Sequence, residues 1–218
     1  MQHDISAVCC STQALSEGWD SMSENAFIYI VDSTDTIVSV SDNWHSFGDG
    51  NAWDGSLRPE DVIGHKLWDF IQDPETQHLY KAVFRRVRSG RGSRPIPFRC
   101  DSPVERRFLE LLIKALPDEQ VEITSKILRR EPREPVRLLE ADTPRSKDLL
   151  KICSMCKKIE ISPGQWAEIE EGLFHLRLFE ADEMPQLSHG LCHQCYRAVM
   201  EEYHDSKTLS KSVDREEE

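Results

Sequence analysis

The chain has no run of about 18 apolar residues and no basic segment leading into an apolar one near its start. Neither a membrane span nor a secretory signal is therefore expected, and the reading is of a cytoplasmic protein. It also lacks a Gly-rich nucleotide loop and has no room for an ATPase domain after residue 200, so an enzyme such as a histidine kinase fragment is not expected. Positive charge is short: 27 Lys and Arg stand against 39 Asp and Glu, a net charge of -12. That balance argues against nucleic acid or an anionic membrane as partner. Gly (10) and Pro (11) are modest, and 39% of the residues are hydrophobic. Such a composition builds a globular core, and 218 residues leave room for one ordinary domain and a smaller unit.

Cysteine is present in an odd number, seven, which does not suit a framework made only of disulfides. Cys9 and Cys10 are adjacent in a polar leader and Cys100 stands alone; all three read as ordinary free thiols. The other four form two CxxC pairs, Cys153-Ser154-Met155-Cys156 and Cys192-His193-Gln194-Cys195. Each such loop lets two thiolates converge on one ion, and two loops close a tetrahedral four-thiolate shell. Structural Zn2+ is the expected occupant; a thiol redox switch, an iron-sulfur centre and a metal-free cluster are the other readings. Four thiolates leave no open position for water, so the site is not expected to be catalytic. His189 and His193 are reserve ligands, donors to the sulfurs or solvated side chains.

Charge is uneven along the chain. Residues 81–107 hold nine Lys and Arg against two acids, a surface that suits either an anionic partner or plain solvation. Residues 151–218 hold eight against fourteen, which speaks against DNA binding there.

Taken in order, residues 1–23 are polar and aperiodic. Residues 27–31 and 37–40 are β-rich runs joined by the turn formers Asp32-Ser33-Thr34-Asp35, a hairpin. Ser41-Asp42-Asn43-Trp44 reads as a capped helical turn. Asp73-Pro74 then starts a longer helix, with Leu79, Val83 and Val87 in one stripe, Tyr80 and Phe84 beside it, and a stop at Ser89-Gly90. Three β-like runs follow, at 96–100, 108–115 and 121–128. Two strands, short helices, one long helix and three strands describe an α+β unit: one antiparallel five-stranded sheet with helices on one face.

The hairpin, the Asn43-Trp44 turn, the Val62-Ile63-Gly64-His65 step, the long helix and the closing meander resemble a PAS sensory domain over residues 24–130. The resemblance implies a ligand pocket between sheet and helices, with no flavin-attachment motif and its ligand unknown. It also makes His78, on the long helix, a candidate haem ligand, and it implies homodimerisation through this unit.

Residues 131–147, with Pro132, Pro135 and Pro144, read as a linker. Residues 148–204 form the cysteine module, expected to be small, α-rich and stapled by zinc. In it Ser162-Pro163-Gly164-Gln165 reads as a capping box opening a helix, with Trp166, Ile169, Leu173 and Leu176 on one face. Gly172 inside that helix suggests close packing or a break. Cys195 falls in the first turn of a second helix bearing Tyr196, Val199, Met200 and Tyr203. Residues 205–218 read as a disordered tail. The string CSMCK (153–157), Trp166, and SHGLCHQC (188–195) is similar to the cysteine-rich CSxCK…W…SHGxCPxC tail of bacterial PAS sensors and response regulators, with His193 in place of the proline. This resemblance implies a bacterial, non-enzymatic signalling adaptor with a protein partner. The alternatives are a redox-responsive zinc-thiolate switch or an accessory of a two-component system.

Overall fold

The computed structural model describes residues 26–47 and 58–203. The expected leader (1–23) and tail (205–218) lie outside these residues.

Alternation of burial decides the first sheet. Strand β1 (Ala26–Val31) buries every second residue, Phe27, Tyr29 and Val31, as period-2 side chains dictate. Strands β2 (Ile37–Val40), β3 (Ile96–Arg99), β4 (Glu105–Ala115) and β5 (Val121–Pro132) complete an antiparallel sheet in the order β2-β1-β5-β4-β3. Helices come between β2 and β3: two single turns, α1 (Pro59–Val62) and α2 (Leu67–Phe70), and the long α3 (Pro74–Arg88). Helix α3 begins as the sequence indicates, since the Asp73 side chain accepts the Thr76 amide at 2.7 Å and Pro74 occupies the first turn. Its buried stripe of Leu79, Tyr80, Val83, Phe84 and Val87 packs with Leu109, Leu111, Ile113 and Ile123 of the sheet in one cluster. Gly90, at φ +77°, ends it.

The β4–β5 hairpin turns through Asp118 (φ 56°) and Glu119 (φ 57°), two left-handed residues in succession where a two-residue turn favours Asn-Gly. Both are exposed, and the carbonyl that Arg88 Nε donates to at 2.8 Å is backbone. The double substitution Asp118→Asn, Glu119→Gly is therefore expected to stabilise the protein by about 1 kcal/mol, or about 2–4 °C in a thermal melt. A lowered melting temperature would contradict the turn assignment.

The segment expected as a linker is partly built into the second unit. Its 3-10 turn (Arg137–Leu139) buries Leu138 completely, with Val136 beside it, and β6 (Arg145–Cys153) already starts at Arg145. Nor is the cysteine module α-rich. Strands β6, β7 (Ile159–Ser162), β8 (Gln165–Ala167) and β9 (Met184–Gly190) form a four-stranded sheet in the order β8-β7-β6-β9, with α4 (Ile169–His175) and α5 (His193–Tyr203) attached. Residues 162–167, read as a helix start, make a hairpin instead. Pro163 followed by Gly164 at φ +77° is turn chemistry, and Glu160 Oε1 accepts the Gly164 amide at 2.9 Å. The helix opens only at Ile169, buried with Leu173 against Leu150, Ile152 and Ile159.

Gly172 is a matter of close packing, not of backbone freedom. A Cβ there would lie 2.4 Å from both Cγ1 and Cδ1 of the fully buried Ile159. Alanine ordinarily stabilises a helix relative to glycine by about 1 kcal/mol. Here Gly172→Ala is expected to cost about 1–3 kcal/mol by lifting α4 from β7. A thermal melt shows it; an unchanged or raised midpoint would refute the contact.

Candidate metal centre

The site follows from a parallel strand pair. Strands β6 and β9 run side by side in the same direction, with Lys151 opposite Ser188, Ile152 opposite His189 and Cys153 opposite Gly190. Both chains thus leave the sheet at the same end, about 4.8 Å apart, and each turns at once into its cysteine loop. A parallel pair needs a crossover of a dozen or more residues. This accounts for the 35 residues between Cys156 and Cys192: they hold the β7–β8 hairpin, α4 and β9.

The first loop is locked by backbone bonds. The Cys153 amide donates to Lys158 O at 2.8 Å, the Lys157 amide to Cys153 O at 3.0 Å, and the Ser154 amide to Gly190 O at 2.8 Å. Lys157 takes the left-handed conformation (φ 59°) that lets the chain turn back past the sulfurs. In the second loop the Cys195 amide, in the first turn of α5, points at Cys192 Sγ at 3.4 Å, and the Cys192 amide points at Cys153 Sγ at 3.4 Å. Such N–H donors stabilise negative sulfur.

All four sulfurs lie within 4.8 Å of one another, Cys156 Sγ and Cys192 Sγ being 3.8 Å apart, and none is in a disulfide. A tetrahedral shell with metal–sulfur bonds of about 2.3 Å has sulfur–sulfur edges of about 3.8 Å. The sequence-predicted set Cys153, Cys156, Cys192 and Cys195 is thus brought together in a geometry that could hold one metal ion. Among the described residues no histidine, aspartate or glutamate joins the group. His189 is half-buried in β9, and His193 is exposed.

At this spacing Cys153, Cys156 and Cys195 share their protons unequally. Hydrogen bonds from Cys156 and Cys195 hold Cys153 far below the usual thiol range. Hydrogen bonding to Cys153 pushes Cys156 up to about 12, and bonding to Cys153 and Cys156 raises Cys195 further. A bound cation would replace the remaining protons and favour all four thiolates. The buried Lys157 places its ammonium on Ser154 O at 3.0 Å, beside this negative cluster. Nothing in the sequence singles out Lys157 except its place directly after the second cysteine.

Comparison with protein-family models and with curated proteins returns no match for this chain.

The centre is not a satellite. Cys153, Met155, Leu191, Cys192 and Val199 belong to the same buried cluster as the first sheet and α3. The Arg99 amide of β3 donates to Met155 O, inside the first cysteine loop, at 2.6 Å. His78, the sequence candidate for a haem ligand, lies on the exposed flank of α3 and stacks on Tyr196 of α5, ring centroids 6.5 Å apart. Cys100 is buried next to the junction, and burial pushes its thiol up to about 11. A cleft of about 230 Å³ opens there, lined by Cys100, Arg145, Lys157 and His189 among others.

Part of the basic stretch is spent inside the molecule, while Lys81, Arg85, Arg91 and Arg94 are exposed. Arg99 pairs with Asp101 and with Glu168 (2.6 Å), Arg106 with Glu170 (2.6 Å), and Arg88 with Asp35 (2.8 Å). Arg107 is wholly buried. Glu168 and Glu170 flank the start of α4, more than 60 residues later in the chain, so neither was visible as a partner in the sequence.

Among the described residues no helix is long and apolar enough to cross a membrane.

Proposed function

We propose that this chain is a cytoplasmic, non-enzymatic signalling adaptor: a PAS-like sensory unit joined to a zinc module that shapes a protein-interaction surface. The observation that carries the reading is the joint itself. A five-stranded antiparallel sheet in the order β2-β1-β5-β4-β3, with its helices inserted between β2 and β3, suits the PAS-like resemblance. Its strand β3 is hydrogen-bonded to the first cysteine loop, and its core is continuous with two of the four cysteines. A signal that repacks the sheet and α3 therefore reaches the metal module without crossing a flexible linker. Zinc suits the four-sulfur donor set and a tetrahedral shell of this size. Bound there, it supplies no chemistry beyond structure, because the cysteines fill its coordination.

Native mass spectrometry of the purified full chain tests this directly. One zinc per chain is the expected result. A chain without metal, whose cysteines all titrate freely, would sink the reading.

One distance favours the redox alternative: Cys156 Sγ and Cys192 Sγ, at 3.8 Å, need little motion to join. Hydrogen peroxide would take two electrons from these thiolates and, with two protons, leave as two waters, forming one disulfide and releasing the ion. Zinc release tracked against peroxide dose separates the two functions. Release confined to denaturing doses excludes the switch.

A further inference from the structure

Two phenylalanines are exposed at the end of α4 and in the loop that leads to β9: Phe174 in the last turn of α4, 73% exposed, and Phe179 in the loop, 59%. The segment that carries them is otherwise well anchored. Leu173 is buried in the second core, and Leu176, Leu178 and Ala181 pack against it. Helix α4 ends in a tight cap in which the Arg177 amide, at φ 56°, donates to Phe174 O at 3.1 Å and the Leu178 amide to Leu173 O at 2.9 Å. Arg137 then clamps the loop, donating to Ala181 O at 3.0 Å and to Asp182 O at 3.2 Å. The two rings are thus held outward on fixed backbone, where four aliphatic neighbours have already been drawn in. Acids neighbour them along the chain and outnumber the one exposed arginine between the two rings, Arg177. Glu168 and Glu170 turn inward to arginines of the first sheet, while Glu171, Glu180, Asp182 and Glu183 are exposed. Of these, Glu171 meets His175 at 3.7 Å, and no ion pair engages Glu180, Asp182 or Glu183 among the described residues.

We infer that the α4–β9 segment is a docking surface for a basic amphipathic helix of another protein, whose aliphatic side chains cover Phe174 and Phe179 and whose Lys and Arg meet the acidic rim. Aromatic side chains, phenylalanine among them, are enriched at the cores of protein interfaces relative to the rest of the surface. The acids select the sign of the partner, and the chain's net charge of -12 steers it in. The inference rests on the reading of the cysteine module as an interaction element and names its partner class.

The test uses the 218-residue chain with its zinc content measured, and two fluorescein-labelled helical peptides of about 18 residues, one of Lys and Leu, the other of Glu and Leu in the same pattern. Fluorescence anisotropy is expected to show salt-sensitive binding of the lysine peptide only. Phe174→Ser with Phe179→Ser should weaken it at least tenfold. Glu180→Gln, Asp182→Asn and Glu183→Gln together should weaken it several-fold and flatten its salt dependence. The exposed remote set Glu60→Gln, Glu75→Gln and Glu119→Gln should stay within twofold of wild type. All changed side chains are on the surface, so melting temperatures should not move. Equal weakening by the remote set, unchanged binding by the phenylalanine variant, or binding of the acidic peptide overturns the inference. So does a sedimentation experiment in which wild type self-associates and the phenylalanine variant does not, since a second copy would then be the occupant. Absence of peptide binding by a zinc-loaded chain removes the docking surface alone; absence of zinc removes the reading beneath it.

Discussion

Replacing Cys153 by serine, or stripping the proposed zinc with a strong chelator, is expected to melt the five-stranded sheet at a lower temperature as well as to unfold the cysteine module. Cys153 is fully buried, ends β6, and shares a core with α3 and the first sheet. On the proposed reading, a chain without its cation keeps several sulfurs within 4.8 Å of one another and nothing between them to offset their charge. Structural zinc contributes on the order of 10 kcal/mol in small isolated modules. Here part of that is replaced by the second hydrophobic core, and a loss of more than about 3 kcal/mol is expected for the whole chain. The decisive readout is amide hydrogen exchange in β3 and α3. The Arg99 amide, bonded to Met155 O, should lose protection first, followed by the α3 face that packs on α5. A module that merely hung from the sheet would unravel and leave those amides protected, and that result would rule out the shared core.

What the sequence disclosed and what it hid divide along contact distance. Helix α3 was legible because its determinants are local: Asp73 as cap, Pro74 in the first turn, Gly90 at the end, and a stripe at helical spacing. The five β runs of the first unit were legible from their β-rich composition and the turn formers between them. The four cysteines were legible because each pair carries its own spacing. The second unit was misread where two local signals competed. Ser162-Pro163-Gly164-Gln165 fits a capping box, but Pro-Gly also fits a turn, and the side chain of Glu160 on β7 settles it for the hairpin. Residues 131–147 look like a linker because charge and proline dominate there. The buried pair Val136 and Leu138 contradicts this, but the four apolar residues among the seventeen (Val136, Leu138, Leu139 and Ala141) make no sustained periodic pattern. The parallel pairing of β6 with β9 is beyond local reading altogether, as are the partners of Arg99 and Arg106.

That charge network gives the second large effect. Asp101 has no exposed side-chain surface and holds both Arg99 and Arg133, the latter at 2.9 Å; Arg133, 3% exposed, also reaches Glu170 at 2.7 Å. Removing the central carboxylate strands two guanidinium groups whose other partners, Glu168 and Glu170, are more than a third exposed and so screened by water. Asp101→Ala is expected to cost about 3 kcal/mol, whereas Asp101→Leu combined with Arg133→Met, which removes charge of both signs, should cost much less than the two single changes added together. A strictly additive double variant, read by chemical denaturation, would show that the carboxylate contributes packing and not charge. The acid dependence has a defined sign. Burial alone would raise the Glu170 carboxyl, but its own amide, Arg106 and Arg133 outweigh that and hold it below the usual glutamate range. A depressed carboxylate stabilises the fold at and above the unfolded pKa, and that contribution fades as pH falls through the folded value. The stability difference between wild type and Glu170→Gln should therefore be constant near neutrality and shrink below about pH 4.5. Because Glu170 sits on the seven-residue helix that presents Phe174 to solvent, the same measurement reports how firmly the sheet grips the surface proposed to receive a partner.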